Sequence, residues 1–105
     1  MDEQLLYIEN CLPGIWSNDD YSFSFQLGTP NLATITDKQK APNTGSGCQY
    51  HIVKQDLFYL LRLIIRDGAK VGVIDYKIDH IDCASGSLTI STDGATWILN
   101  KVLDY

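Results

Sequence analysis

Cationic residues are scarce in this chain. Eight Lys and Arg stand against thirteen Asp and Glu among 105 residues, for a net charge of −5. The few cations are spread thinly and form no patch. Affinity for nucleic acid comes mainly from neutralising phosphates, so the composition excludes a generic DNA or RNA binder and disfavours an anionic membrane surface. Cysteine is also rare: Cys11, Cys48 and Cys83 are widely spaced and odd in number. That is no disulfide framework. Reduced, partly buried thiols are expected, in keeping with a cytoplasmic protein; one bridge with a spare thiol is the alternative. Long apolar runs are missing too. The longest, Leu57 to Ile65, is interrupted by Arg62 and is too short to span a bilayer. The opening "MDEQLLYIENCL" has neither a basic stretch nor an apolar core, so no secretory signal is read there. No Walker loop or dinucleotide fingerprint occurs. "GSGC" at 45–48 lacks the G-x-S-x-G pattern of a nucleophile elbow.

What is present is alternation. Residues 2–12 read as a short helix, with Asp2 as its cap and Leu5, Ile8 and Leu12 at helical spacing; Pro13-Gly14 ends it. The period then changes to two. Tyr21, Phe23, Phe25 and Leu27 fall on one face, with Ser22, Ser24 and Gln26 on the other. Residues 28–31 form a turn and 32–37 a second strand. Residues 38–47 lack periodicity, are rich in turn formers and read as a mobile loop. Further strands are expected at 48–54 and 57–66. Asp67-Gly68 marks a hairpin into "KVGVIDYKID", where Ile74, Tyr76 and Ile78 oppose Asp75, Lys77 and Asp79. Residues 83–87 turn again, Leu88 and Ile90 share one side of a strand, and Asp93-Gly94 starts a last hairpin into Trp97 and Leu99. Seven or eight short strands with tight turns, and no βαβ spacing, predict a single mainly β domain over 1–105. Its expected form is an antiparallel barrel or sandwich.

The order of a short helix, then Leu12-x-Gly14-x-Trp16, then up-and-down strands resembles the lipocalin and calycin group, above all the small lipocalin-like domains of bacterial proteins. Tyr76-Lys77-Ile78 and Leu88-Thr89-Ile90 stand where that group has its later strand motifs, and Lys101 stands for the cation over the Trp. The resemblance implies an up-and-down β-barrel of about eight short strands, with the helix and Trp16 plugging one end. The chain is shorter than a typical lipocalin and has no helix after the barrel. The resemblance therefore implies at most a small cavity.

Few residues suggest chemistry. Cys48-x-x-His51 and His80-x-x-Cys83 supply two thiols and two imidazoles, the preferred donors of tetrahedral Zn²⁺. Residues i and i+3 of a strand point to opposite faces, so no metal or other cofactor is expected. Asp75, Asp79 and Asp82 read as a solvated strand face, and a Cys–His pairing has nothing behind it but residue identity. No catalytic residue is assigned, and enzyme activity is not expected. Trp16, Phe23, Phe25, Tyr76 and Trp97 are the candidate lining of a barrel interior. They suit a small apolar or amphipathic ligand in a non-catalytic binding protein. The alternative is an acidic interaction module, in the style of a bacterial immunity protein or phage-type inhibitor, that neutralises a basic partner protein. Should the barrel be open, strand 32–37 is the expected edge through which a homodimer would pair.

Overall fold

The computed structural model describes residues 2–38, 45–67 and 69–104. Helix α1 (Glu3–Cys11) is followed by β1 (Gly14–Ser17), β2 (Tyr21–Gln26), β3 (Leu32–Asp37), β4 (Gly45–Gln55), β5 (Phe58–Asp67), β6 (Lys70–Asp82), β7 (Ser87–Thr92) and β8 (Ala95–Asp104). Each strand pairs antiparallel with the next, and β8 returns to β1, so the eight strands close into the expected barrel. Closure removes the edge anticipated at 32–37, because β3 is paired with β2 on one side and β4 on the other. An edge-strand dimer has no template there.

Local chemistry sets the element ends. The Leu5 amide donates to Asp2 Oδ1 at 3.1 Å, so Asp2 caps α1 as its sequence position predicts. Asp93 and Gly94 both take positive φ, 43° and 81°, between paired Thr92 and Ala95. That is the two-residue hairpin favoured by an Asp-Gly pair. The β4–β5 turn lies at Asp56 and Leu57, so β5 starts one residue later than its apolar run suggests. The expected loop at 38–47 is shorter at its far end. Residues 39–44 lie outside the described set, but 45–47 already belong to β4, drawn into the ladder by Thr34, Ile35 and Thr36 of β3. Leu27, expected inside, is half-exposed because β2 ends at Gln26.

Strand parity builds the core. Trp16, Phe23, Phe25, Ala33, Cys48, Tyr50, Leu61, Leu63, Tyr76, Ile78, Leu88, Ile90 and Leu99 point inward and are buried together. Ile8, Cys11 and Leu12 of the helical segment close one end over them. Trp16 is fully buried there. Its Nε1–H donates to the Leu12 carbonyl at 2.8 Å, and Lys101 Nζ stands 5.0 Å from its ring centre. Burying roughly 200 Å² of indole is worth about 5 kcal/mol before entropy is charged. Gly14 permits a close approach, but to β8 rather than to the helix. Its φ is +139°, and a Cβ there would collide with the Leu103 carbonyl oxygen.

The cysteines depart from expectation. Cys11 and Cys83 form a disulfide, with Cα atoms 5.5 Å apart, that ties the end of α1 to the β6–β7 turn; only Cys48 is free. The barrel brings together two residues 72 positions apart, a proximity no local pattern could reveal. The expectation of reduced thiols is thereby corrected.

Candidate functional site

Four of the five candidate lining residues form one cluster with two tyrosines. Phe23 stacks on Phe25 at 6.1 Å and meets Tyr76 edge-on at 6.2 Å. Tyr76 meets Trp97 at 5.5 Å, Trp97 meets Tyr21 at 6.2 Å, and Tyr21 returns to Phe23 at 6.5 Å. Phe25 continues to Tyr50 at 5.2 Å. Edge-to-face rings at these spacings attract one another beyond their buried area. Trp16, the fifth candidate, serves the helix-covered end instead. Trp97 and Tyr21 are half-buried and stand at the opposite end.

Two groups in this interior are chemically unusual. Tyr50 Oη is buried with no hydrogen-bond partner among the described residues. Burial, reinforced by Glu9, pushes its pKa up to about 12. Cys48 is the free thiol, and burial raises its pKa as well. It is correspondingly a slow nucleophile.

The four residues of the Cys/His motif are kept apart. Cys48 points inward while His51 is exposed. His80 lies 3.1 Å from Ser87 Oγ, and Cys83 is consumed by its bond to Cys11. No group of three metal-donor side chains converges among the described residues. Asp75 is taken by Arg62, which donates from Nε to Oδ1 at 2.9 Å and from Nη2 to Oδ2 at 3.2 Å. Asp82 accepts from the Ser85 and Ala84 amides, which hold its carboxyl below the usual range.

Two surface features come from ladders that stop short of the ends of their strands. The β6–β7 ladder ends at Lys77↔Ser91, although β6 begins at Lys70. Among the described residues, Lys70–Tyr76 pair with β5 alone and leave their other edge open. Residues 70–74 are all exposed, Val71 by 59% and Val73 by 57%. On the other side of the same hairpin, the β4–β5 ladder ends at Gln49↔Ile64. Above that point β4 follows β3 and β5 follows β6, so the two strands part. A groove of about 280 Å³ opens here, lined by Leu32, Ala33, Thr34, Gly47, Cys48, Gln49, Ile64 and Arg66. Sequence reading missed both features. Gly47 was the available signal, since a glycine within a strand often marks a site of close approach.

None of the five candidate lining residues borders this groove or two further surface hollows, which lie beside Glu9 and His51 and beside Phe58 and Lys77. No helix among the described residues is long and apolar enough to cross a membrane. No protein-family model matches the chain, and no curated protein or solved structure is similar enough to count as a match.

Proposed function

We propose that this protein is a non-catalytic binding module that takes an extended segment of a basic partner protein onto the open edge of β6. The observation that carries this reading is the open edge of β6 along Lys70–Tyr76, whose first five residues, Val71, Val73 and Ile74 among them, are exposed. Such an edge offers a row of free backbone donors and acceptors, and adding a strand satisfies them. The slot continues the line of β7 and therefore starts at the Asp93-Gly94 turn, with Asp93 at its foot. A net charge of −5 favours a cationic partner over a second copy. Immunity proteins and phage-type inhibitors work by this kind of complementarity.

The likeness to lipocalin-like bacterial domains supports a binding role rather than catalysis. It rests on α1, Gly14-x-Trp16 and the Lys101 cation over the indole. A ligand inside the barrel is the weaker reading, because the rings that would line it already contact one another. The Cys11–Cys83 bridge favours an oxidising compartment over the cytoplasm.

The test is a titration against the protein encoded beside this gene, before and after Val71→Lys/Val73→Lys. Both side chains are largely exposed, so the fold should tolerate the change. An affinity reduced at least about tenfold, with an unaltered melting temperature, supports strand addition. Equal binding by the variant refutes it.

A further inference from the structure

We propose that the groove between β4 and β5 binds a small anionic amphiphile, with its anionic head on Arg66 and its short apolar tail laid over Gly47. This site lies on the other side of the β5–β6 hairpin from the open edge, and the proposal does not rest on a partner binding there.

The apolar part of the argument rests on Leu32, Ala33 and Ile64. Leu32 is 50% exposed, although Gln49 and Ile64 stand beside it in the same cross-strand row. Ala33 and Cys48, directly paired, are buried at the base. Gly47 contributes no side chain, and a Cβ built on it meets nothing within 4 Å. The groove is thus a place where the sheet surface lacks filling, walled by apolar groups. Apolar walls with a few convergent polar groups are the usual make-up of a small-molecule site. A volume of about 280 Å³ is just under the usual range for such sites, so the tail is short.

The head group follows from the cations. Arg62 and Arg66 both lie on the outward face of β5. Asp75, directly across on β6, binds Arg62 through two hydrogen bonds. The residue across from Arg66 is Val71, which offers no charge. Arg66 is exposed, lines the groove, and has no carboxylate partner among the described side chains. In a chain of net charge −5, a guanidinium at the rim of an apolar groove, with no carboxylate partner among the described side chains, selects an anion. Its planar fork matches a carboxylate in two hydrogen bonds. Gln49 and Thr34 add neutral polar groups to the walls.

The chain also carries its own reporter. Cys48 lines the groove and is the free cysteine, since Cys11 and Cys83 are bonded to each other. A bound tail will shield its thiol from alkylation.

The experiment measures Cys48 alkylation and calorimetric binding with octanoate as the anionic probe and 1-octanol as the neutral one. Octanoate should bind saturably and slow alkylation at least about fivefold. Arg66→Gln should weaken octanoate about tenfold or more while changing 1-octanol less than about twofold. Gly47→Val should weaken both probes about tenfold, because its β-branched side chain suits a strand and fills the groove. Circular dichroism and the single free thiol verify that each variant is folded. Octanoate that does not bind, does not protect Cys48, or binds Gly47→Val as tightly as the wild type overturns the proposal. So does a wild-type dimer that Gly47→Val dissociates, because the groove would then hold a second copy.

Discussion

Replacing both Cys11 and Cys83 by serine removes the disulfide cross-link between α1 and the β6–β7 turn of the barrel. The bridge spans 72 residues. A loop of that length costs the unfolded chain about 15 cal/mol/K of entropy when closed, or about 4 kcal/mol at 25 °C. The native end should keep its form. The Leu12 carbonyl still accepts from Trp16 Nε1–H, the Cys83 amide donates to Tyr7 Oη at 2.9 Å, and Lys101 Nζ donates to the carbonyl of residue 11 at 2.8 Å. The loss therefore falls mainly on the unfolded state. With a urea dependence of about 1.5 kcal/mol/M, the unfolding midpoint should drop by about 2–3 M. Wild type in reductant should fall to the same midpoint as the double variant. Alkylation and mass measurement should count one thiol before reduction and three after. Equal midpoints with and without reductant, or three thiols in the untreated protein, would refute the reasoning and the argument for an oxidising compartment with it.

Three further outcomes are expected. Gly14→Ala places a Cβ against the Leu103 carbonyl at a φ of +139° and should destabilise by about 3 kcal/mol or more, read from the melting temperature. Tyr50→Phe removes a buried hydroxyl that has no partner among the described residues and should stabilise by about 1 kcal/mol. Because folding raises the Tyr50 pKa from 10 to about 12, its contribution is intact below pH 10 and is lost as pH rises through 12; absorbance at the tyrosinate band should lose a component titrating near pH 12 in Tyr50→Phe. Asp2 behaves oppositely. The Leu5 amide, then the Tyr59 hydroxyl, hold its carboxyl below the usual value, so its contribution is present above about pH 4 and fades as pH falls further; melting between pH 2.5 and 6 should lose part of its acid slope in Asp2→Ala.

The legible part of this fold was the local part. Alternation around Phe23 and Phe25 set their inward direction, Asp93-Gly94 set its hairpin, and Asp2 set the start of α1. Register and ladder length belong to pairs of strands, so no single segment shows them. β6 has 13 residues and β7 has 6, and only their pairing reveals that seven residues of β6 have β5 but no second neighbour among the described residues. The candidate lining residues were found because inward aromatics announce themselves by period. The groove was not, because it is made by two strands parting beside a glycine, and Arg66 gains meaning only from having Val71 rather than Asp75 opposite. The bridge was hidden for the same reason: closing the barrel, not sequence spacing, puts Cys11 beside Cys83.

The two tryptophans have a consequence for anyone watching this molecule in solution. Trp16 is sealed at the helix-covered end beneath the Lys101 ammonium, while Trp97 is half-open at the far end against Tyr21 and Tyr76. Their emission thus carries two addresses. Blue-shifted light that soluble quenchers cannot reach comes from the plug, and quenchable light comes from the mouth. Fraying of one end can be followed separately from the other without attaching a dye.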